Sequence, residues 1–132
     1  MFGEALQSLG YVADLDFVAA DLSDGLGPRI LSWLHSDPQP TPAQIAAAMI
    51  PAARGLRIAA INTECRARLL ARFGDPAEQV SRSIGVYGLA EKSALESGIA
   101  ATIDASNTAS DAVTAATTIE AVEAVAVTWP TI

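Results

Sequence analysis

The 132-residue chain holds a single histidine and a single cysteine, which narrows the nucleophilic and general-base chemistry open to it. A Ser–His–Asp arrangement would have to use His35, in the run Trp33-Leu-His-Ser-Asp37. Nearness along the chain is poor support, because catalytic groups must meet in space at hydrogen-bond distance. A surface histidine at the end of a hairpin is the simpler reading. Cys65 stands in a helical pattern, where a small buried hydrophobe is the ordinary role. Being alone, it excludes an intramolecular disulfide and a multi-cysteine metal site. Asp21, Asp24 and Gly25 look like part of a cation loop. An EF-hand, however, needs a longer acidic series closed by a bidentate glutamate, which Gly27-Pro28 and the following strand preclude. Turn chemistry accounts for these residues more simply. Gly25-Leu-Gly27 lacks the third glycine and the helix of a dinucleotide fingerprint. No catalytic residue, metal site or cofactor is therefore expected, and the chain is not expected to be an enzyme.

Chemistry of contact is better represented. Trp33, Phe73, Tyr87 and Trp129 each lie near the end of a predicted element, where an aromatic side chain can anchor a partner. They can equally fill the core of a small protein, and that role is preferred for Trp33 and Phe73. Trp129 is the better anchor, since a terminal segment seldom forms core unless it docks. The candidate partner-binding residues are thus Trp33, Tyr87 and Trp129. Arg54, Arg57, Arg66, Arg68 and Arg72 fall in one helical stretch and read as a solvated face, with an anion site as a weaker second.

Net charge is −7 and uneven. Residues 1–28 carry five acids and no base, 29–92 carry all eight bases against five acids, and 93–132 carry five acids and no base. Unlike segments suit self-association. The acidity and the absence of a dense basic run argue against nucleic acid. Hydrophobic residues make up 51% but aromatics only 5%, so the core must come from close helix approach rather than bulk. Such a core is marginal alone, and an oligomer is expected. The start, Met1-Phe2-Gly3-Glu4, has no basic flank before an apolar run, and no run approaches the ~20 apolar residues of a membrane span. A soluble product made in the cytoplasm is expected, with no membrane partner.

The elements follow from spacing and punctuation. Residues 3–9 suit a short helix stopped by Gly10. Two apolar segments, 17–22 and 29–34, flank Asp24-Gly25 and predict a β-hairpin. The stretch 36–42 is an extended proline-rich linker. Thr41, Pro42 and Gln44 form a capping box with proline at the first helical position. The helix they open runs to Phe73, with Gly74 as its stop and a kink or break expected near Pro51. Its buried face is Ile58, Ile61, Cys65 and Leu69. Asp75 caps a helix from Pro76 to about Val86. Another runs from about Leu89 to Ala116, with Leu95, Ile99, Ile103, Ser106, Ser110, Val113 and Thr117 in near-heptad spacing. Thr117 and Glu120 suggest a second capping box, and 125–130 reads as extended. The fold class is mainly α with a small N-terminal β-hairpin (α+β), a bundle-like C-terminal part, and a division into a hairpin unit, 1–40, and a helical region, 41–132.

These residues carry a resemblance. Gly3-Glu-Ala-Leu6, Asp16-Phe17, Asp24-Gly25 with Gly27, Ile30 and Trp33, then Pro38-Gln-Pro-Thr41 and Gln44-Ile45, are similar to small accessory proteins encoded beside tail-fibre genes in contractile-tailed phages and PBSX-type defective prophages. The stretch from Ile58 to Leu69 resembles a helix of phage and gene-transfer-agent tail proteins, which also end in a Trp-Pro pair (here Trp129-Pro130). The Ala/Thr/Ser-rich region 94–121 departs from that pattern. The resemblance implies a structural protein of the virion tail, attached at the baseplate or tail fibre, with other tail, baseplate or fibre proteins as partners. A fibre-assembly chaperone absent from the mature virion, and an unrelated small adaptor, are the alternatives.

Overall fold

The computed structural model describes all 132 residues. Helix α1 (Phe2–Ser8) ends just before Gly10, whose φ of +98° turns the chain back. Strands β1 (Phe17–Ala20) and β2 (Arg29–Trp33) pair antiparallel, with Phe17 opposite Trp33. Both are shorter than the expected 17–22 and 29–34. At one end Asp21 Oδ1 accepts the Ser23 N–H (2.9 Å) and bends the chain out of the ladder. At the other, the Leu34 N–H donates to the Asp16 carbonyl. The tip is turn chemistry: Asp24 Oδ1 accepts the Leu26 N–H at 3.1 Å, and its Oδ2 meets Arg29 at 2.8 Å. Ser32 pairs with Val18 and Ile30 with Ala19, so Leu31 is an extra, bulged residue.

Helix α2 (Pro42–Phe73) opens on the reciprocal box: Thr41 Oγ1 accepts the Gln44 N–H, and Gln44 Oε1 accepts the Thr41 N–H. It runs through Pro51 as one helix, so of the expected kink or break the break does not occur. The carbonyl that Pro51 leaves unbonded belongs to Ala47, an exposed residue that water can serve. Helix α3 (Pro76–Ser83) is capped by Asp75 and Glu78 in the same reciprocal way. It stops short of Val86 because Gly85, at φ +85°, reverses the chain. Helix α4 spans Leu89–Ala115 and α5 spans Ile119–Glu123. The cap of α5 is Thr118 rather than Thr117, accepting the Ala121 N–H at 3.1 Å. Glu120 therefore sits one position too early to close a box. From Val125 onward the chain has no regular secondary structure, and no backbone hydrogen bond holds residues 126–132.

The molecule is mainly α with a small N-terminal hairpin. Two apolar clusters share α2. One gathers Ala5, Leu6, Phe17 and Ile45, with Trp33 and Met49 against it. The other joins Ala53 and Ile61 of α2 to Ala109, Val113 and Val122, and is covered by Val125, Val127 and Trp129 of the tail. On α2, Ile61 and Cys65 are buried, with Ile58 and Leu69 half-buried beside them.

The seam of α4 matches the expected one at Leu95, Ser106 and Val113 and differs between them. Its buried residues are Leu95, Gly98, Thr102, Ser106, Ala109 and Val113. Ile99 is only half-buried and Ile103 is exposed. The helix turns its small side to α2 because Phe73, 1% exposed, occupies the space a larger residue would need. A Cβ on Gly98 would lie 2.7 Å from Phe73 Cζ. The buried hydroxyls are satisfied locally, Thr102 donating to the Gly98 carbonyl (2.7 Å) and Ser106 to Asn62 Oδ1 (3.3 Å).

Much of the apolar surface stays uncovered. The accessible area is 8037 Å², against roughly 6,600 Å² for a compact monomer of this mass. Helix α2 is long and apolar enough, by length and composition, to cross a membrane, although no run of twenty apolar residues exists. Only 17% of its most apolar window is buried.

The packing at Gly98 generates a prediction. Alanine there would gain up to ~1 kcal/mol of helix propensity, but overpacking against a buried ring costs about 1–3 kcal/mol. Gly98→Ala is expected to lower the urea midpoint, and Phe73→Leu in the same chain to recover part of the loss. A midpoint raised by Gly98→Ala would contradict the packing described.

Candidate functional site

Trp33 is half-buried and clamps the linker. Its indole N–H donates to the Asp37 carbonyl at 2.7 Å, and Tyr11 meets it edge-on with ring centroids 4.7 Å apart. His35 lies 5.2 Å from Tyr11, and its Nδ1 accepts the Asp37 N–H at 3.0 Å. The Pro38–Pro42 segment is thus held by the aromatic end of the hairpin. Around this unit Val12, Leu15, Val18, Leu22, Leu26, Leu31 and Leu34 are exposed; the sheet has two strands, and the one further pairing is a parallel bridge from Phe17 to Ala13. Between the hairpin, the linker and α2 opens a cleft of about 290 Å³, lined by Phe2, Pro28, Arg29, Pro40, Ile45 and Met49. Arg29 Nη1 is buried there without a hydrogen-bond acceptor.

Cys65 lies on α2, buried, with its thiol 3.9 Å from the Thr102 carbonyl. The structure does not bring it to His35, which stays on the hairpin side.

The arginines of α2 are not a plain solvated face. Arg54 donates through Nε (3.1 Å) and Nη2 to the carbonyl of Ala116, the residue that ends α4. Arg57 donates to the Val125 carbonyl. Arg68 pairs with Glu64 at 2.8 Å and lies 5.0 Å over the Trp129 ring. Trp129 is accordingly half-buried against its own chain. These residues fasten the tail, a role spacing alone could not reveal because the acceptors are carbonyls more than sixty residues away.

Tyr87 sits differently. It keeps half its surface exposed, beneath the Arg82 guanidinium at 4.6 Å. Arg82 and Arg72 converge on Glu91 and bind the start of α4 to α2 and α3. The hydrogen bond from Arg72 holds the Glu91 carboxyl below the ordinary glutamate range, and both arginine charges add to it against partial desolvation. Of the three candidate contact residues, Trp33 and Trp129 touch the two cores and Tyr87 faces outward at a corner.

Residues 11–54 match the family model described as XkdW protein. The XkdW family is a phage family of the PBSX and SPP1 type, so this chain is phage-related. The match covers one third of the chain: the hairpin, the clamped linker and the first turns of α2. Gly3–Leu6, the Ile58–Leu69 helix and Trp129-Pro130 lie outside it. No curated protein and no solved structure matches the chain.

Two tests follow from this geometry. Arg57→Ala removes the donor to Val125, so the Trp129 indole resonance is expected to move toward its free position in an amide NMR spectrum. The Trp33 resonance should stay in place; an unmoved Trp129 signal would show that Arg57 does not hold the tail. The second concerns pH. A lowered folded pKa means that the contribution of Glu91 is complete above its ordinary value, ~4.3, and drains as pH falls through the lowered one. Wild type is expected to exceed Glu91→Gln in urea midpoint at neutral pH, with the gap narrowing as pH falls below the ordinary glutamate value of about 4.3. A gap independent of pH would remove Glu91 from the acid response.

Proposed function

We propose that this chain is a structural protein of a phage virion, attached at the baseplate or tail fibre and acting through protein–protein contacts without catalysis. One observation carries the proposal: the segment matching a phage family contains the hairpin and its linker, and it leaves seven aliphatic side chains exposed around a two-stranded sheet whose outer edges are largely unpaired. Isolated aliphatic side chains on a surface are ordinary, but a cluster around open strand edges is a hallmark of an interface. The cleft beside Arg29 supplies a matching pocket. It suits an apolar side chain. The uncovered apolar surface of α2 supports the same reading, since a partner protein in the tail would cover it.

Mass spectrometry of purified particles with crosslinking tests this. The expected result is the chain at fixed stoichiometry, with crosslinks from residues 11–54 to a tail, baseplate or fibre protein. Absence from particles, with defective fibres when the gene is deleted, would replace the proposal by an assembly chaperone. Normal infectious particles after deletion would sink both.

A further inference from the structure

The corner between α3 and α4 carries a second exposed apolar surface, outside the segment shared with the phage family. Within ten residues it presents Val80, Ile84, Val86, Tyr87 and Leu89, with exposures from 50% for Tyr87 to 81% for Leu89. Val80 of α3 and its C-cap Ile84 are one turn apart, and α3 buries none of its residues. This helix therefore gains nothing from its apolar side within the chain. The corner is nevertheless rigidly built. Gln79 and Arg82 bond to the Gly74 and Phe73 carbonyls, and Arg82 and Arg72 grip Glu91. A preorganised apolar surface of this kind loses little freedom on association.

We propose that this corner is the contact between two copies of the chain, related by a twofold axis. Two observations single out a second copy. The first is charge. Leu89, Lys92 and Glu96 follow one another at spacings of three and four and so share a face of α4. Neither Lys92 nor Glu96 has an ionic partner within the chain. A twofold axis places the same patch against itself, so unlike charges on its rim meet in both directions: Lys92 of each copy can face Glu96 of the other. The second is area. The five side chains expose on the order of 500–600 Å², the upper end of what monomers leave bare. With the rim added, the patch approaches the ~800 Å² that each partner contributes to a standard interface. The surplus of the whole chain over a compact monomer, roughly 1,400 Å², leaves room for this contact besides one at the hairpin. Tyr87, stacked under Arg82 at the centre, has the character of an interface anchor.

The contact is independent of the virion reading, because it holds or fails with the purified chain alone. Sedimentation equilibrium across a concentration series is the experiment. The wild-type chain is expected to dimerise. Ile84→Glu with Leu89→Glu should weaken association at least ~100-fold, with an unchanged helical circular dichroism signal because both side chains are exposed. Lys92→Glu alone should weaken it about 10-fold by placing like charges together. Adding Glu96→Lys restores unlike pairs and should return affinity to within a few-fold of wild type. A monomer at every concentration would overturn the proposal, as would a dimer indifferent to the two glutamates. So would a monomer captured through this corner by a different virion protein. Failure of the double exchange to recover association would overturn the twofold pairing of Lys92 with Glu96.

Discussion

The close approach of α4 to α2 is the contact on which the rest of the molecule is built. It is made by small groups: Gly98, Thr102, Ser106 and Ala109 face Ile61, Cys65 and Phe73. Small side chains bury little area each, so their value lies in distance. They let two backbones come near enough for dispersion to act over a long seam. The seam is then fixed in register by Phe73, which fits only where Gly98 provides room. Because the hydroxyls in it bond to a carbonyl and an amide oxygen, no polar group is stranded.

That seam leaves an open side, and the arginines of α2 close it by a different kind of force. Guanidinium groups of Arg54 and Arg57 bond to carbonyls at the end of α4 and the start of the tail, where helix termini leave acceptors unmet. A charged donor to a carbonyl is a stronger bond than a neutral one. The tail, which lacks backbone hydrogen bonds, is thus positioned by side chains: Arg57 on the Val125 carbonyl, Arg68 over the Trp129 ring, and Val125 and Val127 against the core. Consequently Trp129, a good candidate for an external anchor by position, is engaged internally, while Tyr87 remains outward.

Local signals were read well where the physics is local. The box at Thr41, the cap at Asp75, the glycine stop at Gly74 and the Asp-Gly hairpin depend on residues close in sequence, and each stands in the structure. The α4 seam was legible in part: Leu95, Ser106 and Val113 are buried as the spacing implies, but near-heptad spacing put Ile99 and Ile103 on it in place of Gly98 and Thr102. Ile99 and Ile103 are larger than Gly98 and Thr102, but only a tertiary neighbour, Phe73, decides which face turns inward. Pro51 does not break α2, because its missing donor matters little where the orphaned carbonyl belongs to an exposed alanine. The roles of Arg54 and Arg57 were illegible for want of any signal, since a carbonyl acceptor has no residue type. The cleft at Arg29 was missed as well, being assembled from α1, the hairpin, the linker and α2.

The division of the apolar residues into two clusters also orders their completion in time. The first needs nothing beyond Met49, so it can close once α1, the hairpin and the opening turns of α2 have been made. The second waits for Trp129, eighty residues further on. At ~5–20 residues per second that is a delay of roughly 4–16 s during synthesis. Through that interval the far half of α2 stands bare while the phage-like unit is already formed. The nascent chain is therefore able to present its hairpin before its own helical half has been sealed.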